Sequence, residues 1–235
     1  HFKKTGVSLI GLKPMDIQSF YAQELNRVSS NTVIHYHAVI NRALKYAVKI
    51  DLIPTNPVEK VERPRKVHFH ASFYDSAEVN LLFRAVEGEE MELPVKLAAF
   101  YGLRRSEAIG LRWSDIDFNK NTICIRHTVS NCLIDGRRRD IASDTTKTKS
   151  SMRTLPLVPV FRELLLNKRA EQEEYKRLCG RSYSKEFLDY VCVNQLGIRS
   201  STHYLSSAFP KLLERNGLRK IRFHDLRHRK AFRRI

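Results

Sequence analysis

Three short stretches of this 235-residue sequence group side chains that can hold an anion or move a proton. In Gly102-Leu103-Arg104-Arg105-Ser106-Glu107 an arginine follows a glycine break, and Glu107 lies three residues further on. That interval puts carboxylate and guanidinium on one helix face, so Glu107 can hold Arg104 still while other donors remain for an anion. The same spacing also describes an ordinary surface ion pair of small energetic value. In His224-Asp225-Leu226-Arg227-His228 the interval of three brings His224 and Arg227 to one side of a helical turn, where both can reach one phosphate. Generic contacts from a basic tail to a polyanion would carry the same pattern. A third stretch, from Lys147 through Lys149 and Arg153 to Leu157, places cations on a β-turn between short strands, where an ammonium is mobile and solvated. The four cysteines, Cys124, Cys132, Cys179 and Cys192, form no CxxC pair and have no histidine at finger spacing, so no metal is expected and the thiols read as reduced.

These groups sit in a strongly basic chain: 42 Lys and Arg stand against 25 Asp and Glu, a net charge of +17. Over residues 211–235 alone, ten basic residues face two acidic ones, a net +8. With 42% hydrophobic and 9% aromatic residues the excess sits on a folded body rather than on a disordered polycation. Nucleic acid is the leading polyanionic partner, with an anionic membrane surface as competitor. No run of 18 apolar residues is present, which excludes a membrane-spanning segment of the helical kind.

The elements that must position the three stretches follow from hydrophobic period and capping. Pro14 opens a first helix, with Ile17, Phe20, Tyr21 and Leu25 on one face. Ser30 or Asn31 caps a second, whose apolar stripe is Val33, Tyr36, Ile40, Ala43, Leu44 and Ala47. Its polar face carries His35, His37, Asn41, Arg42, Lys45 and Lys49, a composition that suits either a nucleic-acid surface or a merely solvated one. Pro54, Pro57 and Pro64 then punctuate a stretch with Lys60, Arg63, Arg65, Lys66, His68 and His70, read as a basic linker from about residue 54. The expected domains are therefore 1–66, helical, and 67–235. In the latter, helices are expected over 76–86 and 93–101, the second stopped by Gly102, and a strand over 122–129. A polar interval with Gly136 and Arg137 to Arg139 leads to strands over 145–148 and 153–158, turning at Ser150-Ser151. A helix from Phe161, a strand over 190–193 and a final helix ending near Gly217 complete the reading. The fold class is mostly α with a small antiparallel β-sheet: a helical domain plus a mixed α+β domain.

In this order the boxes resemble the tyrosine recombinases of the phage integrase type, closest in look to the integrases of conjugative transposons. Residues 31–57, with Tyr46-Ala47-Val48-Lys49 and Asn56-Pro57, look like the family's helical core-binding domain. The stretch from Gly102 through Trp113-Ser114-Asp115-Ile116-Asp117 looks like the box of the first catalytic arginine, Lys147 stands where the family has its hairpin lysine, and His224 to Arg227 matches His-x-x-Arg. The resemblance implies that Arg104 and Arg227 bind the non-bridging oxygens of a scissile phosphate and that Lys147 protonates the departing 5′-oxygen. His224 would bond the phosphate or assist proton transfer, and Glu107 would support the box structurally. A tyrosine would attack phosphorus to give a 3′-phosphotyrosyl link, with no metal and no nucleotide cofactor.

The last tyrosine is Tyr204, and none follows Arg227, so no residue is nominated as nucleophile. His228 is followed by Arg229-Lys230-Ala231-Phe232-Arg233-Arg234-Ile235, which departs from the family pattern. The expectation is a truncated end or residues joined across a missing segment, and a start at His1 that is not the natural one. Contacts to double-stranded DNA at attachment or inverted-repeat sites are expected from His35, Asn41, Arg42, Lys45, Arg63, Arg65, Lys66, Arg105, Lys149, Arg153 and Arg222. The implied assembly is a homo-tetramer on DNA, cytoplasmic, with accessory bending or excision factors. The alternative is a catalytically silent protein that occupies or regulates recombination sites.

Overall fold

A computed structural model describes residues 6–67, 73–144 and 152–227. The chain divides into two compact units, His1–His70 and Ala71–Ile235.

The first unit is built on helices α1 (Pro14–Leu25) and α2 (Ser30–Lys49) and a 3-10 turn, Pro57–Lys60. Pro14 occupies the first turn of α1, where its missing N–H costs nothing, and Asp16 accepts the Lys13 N–H at 2.8 Å. The cap of α2 is Ser29, one residue earlier than the sequence suggests; its hydroxyl accepts the Thr32 N–H at 3.3 Å. Ile17, Tyr21, Val33, Leu44, Ala47, Ile53 and Val58 form the core. The presumed linker from 54 thus begins inside that core. Asn56 is buried, donates to Asn41 Oδ1 at 2.7 Å and accepts the Val58 N–H at 3.1 Å, which turns Val58 inward. Burying a valine stabilises by about 1.5–3 kcal/mol, enough to hold a short proline-bounded turn against the helices. Beyond it the chain stays tethered: Gln18 accepts the Glu62 N–H at 3.1 Å, and the Asn31 amide donates to the Val67 carbonyl at 2.8 Å.

The second unit contains α3 (Ser76–Ala85), α4 (Glu92–Tyr101), α5 (Arg105–Gly110), β1 (Ile116–Asp117), β2 (Thr122–Ile125), β3 (Thr128–Ile134), β4 (Arg137–Ser143), β5 (Arg153–Pro156), α6 (Pro159–Cys179) and α7 (Thr202–Arg215), and a 3-10 turn, Phe223–Arg227. Helix α4 is apolar nearly all round, and Leu93, Pro94, Val95, Leu97, Ala98 and Ala99 are buried, so it lies within the core rather than along its edge. An antiparallel sheet of order β1-β2-β5 packs with it, in the register Ile123↔Leu155 and Ile125↔Arg153. Phe209 of α7 meets Phe223 edge-on at 5.5 Å, which seats the 3-10 turn on the core.

Three readings change. The strand expected over 122–129 breaks at Arg126-His127, where His127 turns inward and is buried, its ring bonded to Asp144 and to the Tyr190 hydroxyl, and the chain restarts as β3. The polar interval that follows is a regular hairpin, β3 paired with β4 from Thr128↔Ser143 to Ile134↔Arg137. Its Asp135-Gly136 turn has φ of 50° and 74°, the double positive φ that lets a two-residue loop match strand twist. The strand expected over 190–193 is reduced to isolated bridges, Arg112↔Tyr190 and Val193↔Arg199. Residues 145–148 lie outside the described residues.

Candidate functional site

Gly102 ends α4 in the left-handed region, φ 67° and ψ 29°, a conformation in which any other residue is strained. The reversal points Leu103 into the core and leaves Arg104 as the N-cap of α5. Three residues on, Glu107 accepts the Arg104 backbone N–H at 2.8 Å and its guanidinium at 2.7 Å. From the first residue of β5, Arg153 binds the same carboxylate through both terminal nitrogens, at 2.8 and 3.3 Å. Glu107 is 1% exposed while the Arg104 side chain is 50% exposed, so the carboxylate is the buried post and Arg104 reaches outward from it. Burial alone would raise the Glu107 pKa; the bonds from Arg153 and from the Arg104 backbone and side chain outweigh it and hold the group at about 2.

Arg227 closes the cluster from the 3-10 turn, donating from Nε to the Gly102 carbonyl at 2.8 Å. Burial and then the neighbouring charge of Arg104 draw its pKa below the usual arginine value. Three guanidiniums therefore gather about one carboxylate, and the two surplus positive charges suit the place to an anion. In the same turn Phe223, Asp225 and Leu226 are buried, which leaves His224 exposed between them. Asp225 accepts the Arg222 N–H at 3.0 Å and its guanidinium at 2.7 Å, and Arg222 is the main reason its pKa lies below the ordinary range. His224 lines a concavity of about 430 Å³ together with Arg104, Arg105, Ser106, Ser130 and Thr202. A larger one, about 660 Å³, is lined by Glu89, Glu90, Glu92 and Glu171, carboxylates that repel an anion.

The structure brings Arg104, Glu107, Arg153 and Arg227 together. Arg105 is bonded to the Ser206 hydroxyl and Arg222 to Asp225. Lys147 and Lys149 lie outside the described residues, as do His68, His70 and His228. On the first unit His35, Arg42 and Lys45 are exposed along α2, and Arg63, Arg65 and Lys66 are exposed after the 3-10 turn. Asn41 is half-buried, with its side-chain carbonyl bound to Asn56. Sequence spacing missed the second grip on Glu107, because Arg153 comes from a strand 46 residues away. It also missed a network of Arg112, Asp115, Arg126, His127, Asp144 and Tyr190, whose visible trace is the Trp113-Ser114-Asp115 box. Among the described residues no group of three His, Cys, Asp or Glu side chains could hold a metal ion, and no helix is long and apolar enough to cross a membrane.

Solved structures share this architecture. The Tn1549 transposon integrase in complex with circular intermediate DNA superposes with a TM-score of 0.76, covering 94% of this chain and 72% of that one at 15% identity. A lambda integrase tetramer bound to a Holliday junction gives 0.62, with 93% and 58% coverage at 17% identity. The fold is thus that of these integrases. Residues 73–234 match the Phage integrase family, and the chain belongs to that family. A XerC-like tyrosine recombinase of Caldanaerobacter subterraneus subsp. tengcongensis is 26% identical over 95% of this chain, and the prophage integrase IntR of Escherichia coli is 24% identical over 84% of it. The chain spans 60% and 49% of the lengths of those two relatives.

Proposed function

We propose that this chain is the DNA-clamping and phosphoryl-transfer part of a site-specific recombinase that cuts and rejoins strands through a 3′-phosphotyrosyl intermediate, integrating or excising a mobile element. The observation that carries the reading is the Glu107-centred arginine cluster beside His224. When a hydroxyl attacks a phosphodiester, charge accumulates on the two non-bridging oxygens, and guanidiniums already fixed in place stabilise it without reorganising. Arg104 and Arg227 take that role, and Glu107 with Arg153 keeps Arg104 from relaxing. His224 bonds a non-bridging oxygen or relays the proton of the attacking hydroxyl. As the tyrosine Oη–P bond forms and the P–O5′ bond breaks, Lys147 gives its proton to O5′. One phosphate ester replaces another, so no energy source is consumed. We assign the nucleophile to none of the tyrosines in these 235 residues, since none follows Arg227.

The domains, the expected contacts of α2 and the basic stretch 63–66, a tetramer on two duplexes and accessory bending factors belong to the same proposal. The DNA-bound states of the Tn1549 and lambda integrases, and the lambda tetramer, support it. Incubating the full product of the gene with a nicked suicide substrate tests it: a covalent protein–DNA adduct forms with the wild type and is lost in Arg104→Ala. DNA that is bound but never joined would favour the silent site-occupying protein instead.

A further inference from the structure

The concavity beside the arginine cluster contains a polar group that the chemistry above does not use. Thr202, the first residue of α7, is 2% exposed, and its hydroxyl is buried with no hydrogen-bond partner among the described residues. Such a group costs stability, because it gives up water and receives nothing in return. The helix does not need it. Ser201 is the N-cap and accepts the Tyr204 N–H at 3.0 Å, and the Thr202 carbonyl accepts the Ser206 hydroxyl at 2.9 Å. A valine would fill the same space without that cost. We infer that Thr202, with Arg105 and the N-terminus of α7, forms a second phosphate site, which grips the DNA backbone at a phosphate next to the scissile one. This rests on the proposed cleavage reaction, in which Arg104 and Arg227 take the scissile phosphate.

Three observations carry it. First, Thr202 lines the same concavity as Arg104, Arg105 and His224, so an anion held there lies beside the arginine cluster. Second, Arg104 and Arg105 are consecutive in the chain yet are held by different elements. Arg104 is bound to the buried carboxylate of Glu107, whereas Arg105 is exposed, is bonded to the Ser206 hydroxyl of α7 and forms no ion pair with any described residue. Ser206 lies four residues after Thr202, one turn along the same face, so the uncompensated charge of Arg105 is tied to the helix that carries the unpaired hydroxyl. Consecutive Cα atoms stand about 3.8 Å apart, and consecutive phosphates of one strand rise about 3.4 Å along the duplex axis. Two adjacent arginines drawn to different elements therefore suit two successive phosphates. Third, α7 runs for 14 residues, and the first N–H groups of such a helix give its start a partial positive charge that favours a phosphate oxygen. A helical threonine has two χ1 wells open to it, so one rotation turns the hydroxyl toward an oxygen arriving in the concavity.

The test exploits the opposite signs expected for stability and for function. In the full product of the gene, Thr202→Val keeps the shape of the side chain and removes the hydroxyl. It should unfold at the wild-type temperature or above, because a buried unpaired group has been lost. Its covalent adduct formation on a nicked suicide substrate at subsaturating DNA should nevertheless fall about 10-fold, the worth of one hydrogen bond to a charged group. Thr202→Ser restores the donor and should bring the rate back to within about threefold of the wild type. The place of contact is read with substrates that carry a neutral methylphosphonate at the phosphate on the 5′ or the 3′ side of the scissile one. At one of these two positions the modification should slow the wild type about 10-fold but slow Thr202→Val and Arg105→Ala less than about threefold, since a contact already lost cannot be lost again. Wild-type adduct formation by Thr202→Val, unfolding of that variant at a lower temperature, or methylphosphonate effects that multiply with those of the variants at both positions would overturn the inference. Absence of any adduct from the wild type on the unmodified substrate would overturn the recombinase reading itself, and this inference with it.

Discussion

The arginines of the second unit and the cations of the first are held in opposite ways. Arg104 and Arg153 share the buried carboxylate of Glu107, and Arg227 is hydrogen-bonded to the reversal at Gly102. On α2, His35, Arg42, Lys45 and Lys49 stand exposed and form no ion pair with any described residue. A cation that must stabilise a particular pair of oxygens at the moment charge develops gains from being locked beforehand. One that only neutralises a backbone phosphate gains from freedom, because counterion release does not depend on a single geometry. On the proposed reading, the buried carboxylate marks where the chain would do chemistry, and the bare basic face marks where it would hold DNA.

The contrast is sharpest for Arg227→Ala or Arg104→Ala, which should lower covalent adduct formation by about 10²- to 10³-fold while equilibrium DNA binding, read by gel shift, stays within a few-fold. Glu107→Gln comes next. It leaves two guanidiniums without their charge partner, so adduct formation should fall about 10- to 100-fold, and unfolding by denaturant should show a loss of about 3 kcal/mol. The folded pKa of Glu107, about 2, lies below its ordinary 4.5, so this stabilisation is complete above that ordinary value and fades as the pH drops through the folded one. The stability gap between wild type and Glu107→Gln should accordingly close between pH 4.5 and 2.

The bare face should respond the other way. Replacing Arg42, Lys45 and Lys49 together by alanine should flatten the slope of log affinity against log salt by up to about 2.7, since each lost phosphate contact removes about 0.9. Single-turnover cleavage of DNA already bound should be unchanged; a slower bound-state rate would mean that α2 takes part in aligning the phosphate. Smallest of all, Gly102→Ala forces an alanine into φ 67°, with its Cβ at an ordinary 3.8 Å from the Arg227 carbonyl. The cost should be about 1 kcal/mol of stability from the backbone, visible in thermal unfolding, with a several-fold loss of cleavage if the reversal aims Arg104.

Local rules reached the elements whose signals are local. The proline opening α1, the glycine ending α4, and the apolar stripes of α2 and α7 follow from periods and caps within one segment. The linker was misjudged because three prolines in a row of basic residues look solvated, whereas Asn56 and Val58 are buried by residues of α1 and α2 that a linear reading does not place nearby. The hairpin was passed over because Arg137 to Arg139 obscured the Asp135-Gly136 turn signal between strands that are mostly exposed beyond Val129 and so lack the usual alternation.

For the site, the order and spacing of Arg104, Glu107, His224 and Arg227 were legible in the chain itself, because each pair is separated by one helical turn. What tertiary structure alone decided is the charge state of the whole. Folding carries Arg153 to the far side of Glu107, sets Arg227 against Gly102, and buries the carboxylate between guanidiniums that come from α5 and β5. Whether an arginine three residues from a glutamate is a solvated ion pair or half of a preorganised anion site depends on desolvation and on a third residue from another strand, and neither is written in the interval between two positions.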